Sequence, residues 1–170
     1  MADMPLLLAG LAATLVLLAC SAFFSSAETA MFSLPSEWID SETAAGSDVG
    51  SLAELRSDPH RLLVTLLVGN NVVNVAIASV LTVVIGSLLP PGPAILVTTA
   101  VASVAVLLFG EIVPKSYGLG NAKRWAVTTA PAVALVERLL WPAIVSFDWL
   151  TRRVAVRLGA EPEIERPYLD

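Results

Sequence analysis

Three short stretches set oxygen-bearing groups inside otherwise apolar runs. In "CSAFFSSAETAMFS", residues 20–33, Ser21, Ser25 and Glu28 recur at i, i+4 and i+7 and share one helical face, with Ser26 and Thr29 beside them. In "VGNNVVN", residues 68–74, Asn70 and Asn74 share a face four residues apart, while Asn71 points elsewhere. In "LLFGEIVPKS", residues 107–116, Gly110 and Glu111 stand just before Pro114 and Lys115. Pro114 has no N–H, so the carbonyl of Gly110, four residues earlier, is predicted to lose its helical partner. In a dry environment that carbonyl must find water, a donor or a cation. The Ser25 hydroxyl, with Ser21 or Ser26, the amide oxygens of Asn70 and Asn74, the Gly110 carbonyl and the Glu111 carboxylate form an all-oxygen set of one net negative charge. Such hard donors suit Mg2+, Ca2+ or Na+ and suit zinc or copper poorly. Each group has a plainer alternative. Ser21, Ser26 and Thr29 can bond back to their own helix, and Asn70 and Asn74 can act as interhelical glue. Glu111 can pair with Lys115, and Glu28 can cap or snorkel.

The elements that carry these groups are read from charge placement. Between Arg61 and Glu111 lie 49 consecutive residues without Asp, Glu, Lys or Arg, enough for two spanning helices at ~20 residues each. A third apolar stretch runs from Pro5 to Ala27. Spans are predicted at about 5–30, 62–88 and 94–114, with "LLPPGP" at 88–93 as a proline-fixed turn. The polar segment 36–60 reads as a connector with a short helix near Leu52–Arg56. A fourth span over 125–150 is disfavoured, because Glu137 and Arg138 sit near its centre at ~2.5–3.5 kcal/mol each. Pro131 and Pro142 instead suggest two amphipathic juxtamembrane helices, about 122–140 and 143–158. The fold class is therefore an all-α membrane protein of three transmembrane helices plus a cytoplasmic-side amphipathic belt. All ten Lys and Arg fall at Arg56, Arg61 or after Lys115 as far as Arg166, which places the N-terminus outside and the C-terminus in the cytoplasm. The four tryptophans, Trp38, Trp125, Trp141 and Trp149, fall on the same proposed inner side.

Composition excludes several function classes. The chain is 56 % hydrophobic and only 15 % charged, with a mean hydropathy of +0.76, too apolar for an ordinary soluble domain. A net charge of −5 argues against nucleic-acid binding. One cysteine, Cys20, leaves no disulfide framework, and one histidine, His60, leaves little for His-based zinc sites or Ser-His catalysis. "LVLLAC" at 15–20 has the look of a lipoprotein cleavage box, but the preceding residues carry only Asp3 and lack the basic region a signal peptide needs.

The stretches "FFSSAETAMFS", "GNNVVN" and "GEIVPKSYG", in this order, resemble the transmembrane domain of the CorC/CNNM (cyclin M) magnesium-transporter family over roughly residues 5–158. The resemblance implies three spans per subunit, a juxtamembrane belt, a homodimer in membrane lipid and Mg2+ as the transported ion, with Na+ as a proposed coupling ion. Carried over residue by residue, the ion site would fall on Ser25, Asn70, Asn74, Gly110 and Glu111, with Ser26 and Glu28 as further candidates. Family members continue into cytoplasmic CBS-pair domains, so 1–158 is read as the transport domain and 159–170 as the start of a linker to such domains.

The resulting expectation is a secondary transporter domain that exports Mg2+, with a hinge at Gly110–Pro114 and Lys115 as a tethered competitor of the ion. The alternative is a non-transporting dimeric membrane anchor or Mg2+ sensor module. An intramembrane enzyme ranks last, because no base partners the serines.

Overall fold

The computed structural model describes residues 4–157, which are helical apart from short connections. The elements are α1 (Met4–Phe32), α2 (Ser36–Ala44), α3 (Gly50–Arg56), α4 (Pro59–Gly86), α5 (Pro91–Ala105), a π-helical segment (Val106–Ile112), α6 (Val113–Gly120) and α7 (Ala122–Arg157). Three helical rods are long and apolar enough to cross a bilayer: α1, α4, and the continuous run Pro91–Gly120 made of α5, the π segment and α6. At 1.5 Å per residue each reaches roughly 40 Å, more than a hydrocarbon core.

Local chemistry explains the boundaries. The Asp58 carboxylate accepts the Arg61 amide at 3.0 Å, and Pro59 follows at the first turn of α4, where a missing N–H costs nothing. At the other end, Ser87 to Leu89 close a tight turn and Pro91 opens α5. The expected turn at 88–93 is therefore present as 87–90, one residue earlier at its start and three residues shorter at its far side.

Packing of α1 on α4 depends on two glycines. A Cβ on Gly69 would lie 2.8 Å from the Phe24 ring, and one on Gly10 would strike Val84. Close approach of backbones is how apolar helices gain contact when no water is expelled between them. Outward faces carry exposed Leu8, Leu15, Val16, Val72, Val75, Leu96 and Val104, as expected of surfaces solvated by lipid.

The largest buried apolar cluster sits at one end of the bundle, where α7 crosses beneath the spans. Phe24, Ala27, Ala30 and Met31 of α1 meet Leu62 and Leu66 of α4, Leu52 and Leu55 of α3, and Ala126, Ala130 and Val133 of α7. Ile39 of α2 joins them, so the connector holds two helices rather than the single one expected.

The sequence-based division of 122–158 into two helices is corrected. α7 is one helix, Ala122–Arg157, with Pro131 and Pro142 inside it. An internal proline costs ~3 kcal/mol. Burial of Ala126, Ala130 and Val133 offsets this cost on either side of Pro131. Residue 158 and the expected linker 159–170 lie outside the described residues.

The third rod corrects a second expectation. The helix does not break at Pro114. It widens into the π segment, in which the Val113 amide reaches back five residues to the Leu108 carbonyl, and returns to α register in α6. With the Val113 amide on Leu108 and no amide on Pro114, the Phe109 carbonyl has neither an i+4 nor an i+5 donor, and the Gly110 carbonyl has no i+4 donor.

Candidate functional site

Midway along the rods the polar stretches meet. Ser21 is fully buried on α1 and its hydroxyl lies 2.8 Å from Oδ1 of Asn74 and 3.1 Å from Oδ1 of Asn70, both on α4. A hydroxyl has one hydrogen, so it satisfies only one of the two amide oxygens at a time. From the third rod, Glu111 Oε1 accepts from Asn74 Nδ2 at the 3.5 Å limit. Gly110 lies against the same hydroxyl: a Cβ there would sit 2.6 Å from Ser21 Oγ. Four of the five principal candidates, Asn70, Asn74, Gly110 and Glu111, therefore cluster on Ser21.

Each position has a local cause. Ser21 and Ser25 are one turn apart on the α1 face that α4 and α6 cover, and both are completely buried. Asn70 and Asn74 are one turn apart on α4, while Asn71 turns outward and donates to its own Leu67 carbonyl at 2.8 Å. Gly110 is buried within the π segment, where the absence of a side chain lets α1 approach.

Ser25, the principal hydroxyl expected from the sequence, does not bond to the asparagines. Its Oγ is buried and has no hydrogen-bond partner. An unpaired buried hydroxyl costs about 1–3 kcal/mol. Ser26 lies apart from the cluster. Its hydroxyl donates to the Ala22 carbonyl at 2.6 Å and accepts the Trp125 indole N–H at 2.9 Å, fastening α7 to α1. Thr29 bonds back to the Ser25 carbonyl at 3.1 Å. Glu28 pairs with Lys115 at 3.3 Å and does not reach the asparagines.

Beneath the spans, a charged group that sequence reasoning noted only as a cost has a defined role. Glu137 of α7 pairs with Arg61 at the start of α4, and the Arg61 guanidinium stacks over the Trp141 ring at 4.2 Å. Burial raises the pKa of Glu137 above its ordinary value, while Arg61 pulls it back. Arg56 leans over Phe32 at 5.4 Å, and burial lowers its pKa. The one sequence signal for this contact was an acid in an amphipathic helix with a lone arginine at the foot of a span.

Fold and site together define a class: an α-helical integral membrane domain of three spans with an oxygen-lined polar centre. The chain belongs to the cyclin M transmembrane N-terminal domain family, whose model matches residues 12–170. It is 33 % identical over 154 residues to a chloroplastic DUF21 domain-containing protein of Arabidopsis thaliana, covering 91 % of this chain and 23 % of that protein. It is 28 % identical over 145 residues to the UPF0053 inner membrane protein YfjD of Escherichia coli K12, covering 85 % of this chain and 34 % of YfjD. A UPF0053 protein of Haemophilus influenzae is 25 % identical over 156 residues, covering 91 % of this chain and 37 % of the relative. The chain thus spans from just under a quarter to somewhat over a third of these relatives' lengths.

Proposed function

We propose that this domain transports Mg2+ across the membrane, outward, as a secondary transporter with Na+ as the candidate coupling ion. The observation that carries the reading is the surplus of acceptors around Ser21. Two amide oxygens converge on one hydroxyl hydrogen, with the Glu111 carboxylate alongside and donor-poor carbonyls at Phe109 and Gly110. A cation inserted among Asn70, Asn74, Gly110 and Glu111 would relieve that surplus, and Ser21 or the unpartnered Ser25 would complete its shell. Mg2+ keeps several of its waters in most protein sites, so a shell of protein oxygens and retained water fits it.

The partners of Ser21 are amide oxygens, too weakly basic to take its proton, which favours ion handling over nucleophilic catalysis. The π segment supports the reading as a candidate hinge for alternating access, since non-regular backbone at a binding site is common among transporters. Distribution of Lys and Arg supports an external N-terminus and an α7 belt on the cytoplasmic side, and the family resemblance supports a homodimer with CBS-type cytoplasmic domains in the longer protein.

Reconstitution tests the reading. Liposomes holding a Mg2+-sensitive dye should report flux with the wild type and none with Asn74→Ala or Glu111→Gln. If the wild type binds Mg2+ yet moves none, the chain is a membrane anchor or Mg2+ sensor instead.

A further inference from the structure

The Glu28–Lys115 pair, one turn from the proposed ion site, adds a control that site geometry alone does not. Lys115 follows Glu111 by four residues, the spacing and order at which a glutamate and a lysine pair on a regular helix. It is turned elsewhere: its Nζ lies 3.3 Å from Glu28 Oε2 on α1. The π segment explains the diversion. Glu111 sits inside it, where the stacked neighbour is nearer five residues on, and Lys115 sits beyond it in α register. Glu111 is left with a neutral amide donor, Asn74 Nδ2, at the edge of hydrogen-bond range.

Backbone packing fixes the helices, and the pair between them is made by side chains alone. Gly118 of α6 lies so close to α1 that a Cβ there would collide with the Ser26 carbonyl, so the two helices are locked together one turn past Lys115. Both members of the pair are partly exposed, 44 % for Lys115 and 32 % for Glu28. A contact between two side chains can open without moving either backbone. Between the pair and Ser21, on the same face of α1, lies the unpartnered hydroxyl of Ser25.

We propose that Lys115 is a built-in competitor cation for Glu111, and that Glu28 is the positioning residue that holds it away. With Glu28 engaged, Glu111 is open to a divalent ion. With Glu28 released, by a passing cation or by a change in the α1–α6 contact, the ammonium swings to Glu111, one turn back on the same rod, and closes the site. The proposal rests on the Mg2+ reading above and extends it to how affinity is switched.

The test is Mg2+ titration calorimetry on the purified chain in lipid nanodiscs. Glu28→Gln frees the ammonium and should weaken Mg2+ binding about tenfold. Lys115→Met should bind at least as tightly as wild type, and the double variant Glu28→Gln/Lys115→Met should recover wild-type affinity within about twofold. That rescue is the signature of competition, since a ligand or a purely structural role for Glu28 would leave the double variant as weak as the single. An unchanged Glu28→Gln affinity, or a defect that persists in the double variant, overturns the proposal. Absence of any Mg2+ binding by the wild type would instead overturn the underlying ion reading.

Discussion

The Ser21 hydroxyl of α1 and the Asn74 amide oxygen of α4 lie 2.8 Å apart, joining residues 53 positions distant in sequence at the centre of the bundle. A serine in a spanning helix ordinarily bonds back to its own backbone, as Ser26, Ser79 and Thr29 do here. Ser21 reaches across instead, which makes it the joint between the α1 and α4 halves of the site.

Asn74 touches both other rods, so its loss should separate ion binding from folding. Asn74→Ala removes one amide oxygen from the Ser21 cluster and the donor to Glu111. Mg2+ affinity should fall by about tenfold or more, while thermal stability drops by only about 1 kcal/mol. Titration calorimetry and a melting curve on the same sample check both.

Gly110 and Gly118 should fail in different ways. In Gly110→Ala the new methyl would press on Ser21 Oγ, so ion binding weakens while overpacking costs about 1–3 kcal/mol. In Gly118→Ala the methyl meets the Ser26 backbone carbonyl, which cannot rotate away, so the α1–α6 contact itself opens. The expected result is the larger loss of melting temperature for Gly118→Ala and the larger loss of Mg2+ binding per degree of melting for Gly110→Ala.

Ser26 was a candidate ligand from its neighbourhood in sequence, and the structure gives it to Trp125. Ser26→Ala and Trp125→Phe should each cost about 1 kcal/mol of stability. Because both remove the same hydrogen bond, the double variant should cost less than the sum of the singles. Mg2+ binding should be unchanged in all three.

Glu137 gives a pH dependence outside the spans. Its folded pKa is raised, so between the ordinary carboxylate value and the raised one the folded state holds more proton than the unfolded state. Stability should therefore fall as pH rises through that window, and Glu137→Gln should flatten the slope. Arg61→Ala should push the pKa of Glu137 further up, moving the slope to higher pH, since the pairing cation that opposes the shift is gone. Melting temperatures followed from acidic to neutral pH measure this.

The three spans were legible because a bilayer imposes length and charge limits that few sequences meet by chance. The expected 5–30, 62–88 and 94–114 became Met4–Phe32, Pro59–Gly86 and Pro91–Gly120. The extra turn of the third rod was hidden by Pro114, read as a stop; the π segment just before it changes the register, and single-residue periodicity does not reveal that. Prolines misled again in α7, where burial of Ala126, Ala130 and Val133 outweighs the local cost. Asn70, Asn74, Gly110 and Glu111 were legible as chemistry because amides and a carboxylate stand out in an apolar run. That Ser21 rather than Ser25 bonds the asparagines was not, since both lie on one face and only the height of α4 relative to α1 decides which hydroxyl meets them.

The most direct measurement is the position of a bound ion. Anomalous density from crystals grown in Mn2+, a hard-ligand stand-in for Mg2+, should show one peak about 2 Å from Oδ1 of Asn70, Oδ1 of Asn74 and a Glu111 carboxylate oxygen, with Ser21 turned off one amide to make room. A peak distant from those three residues, or none while Ser21 keeps both asparagine contacts at saturating Mn2+, would contradict the account.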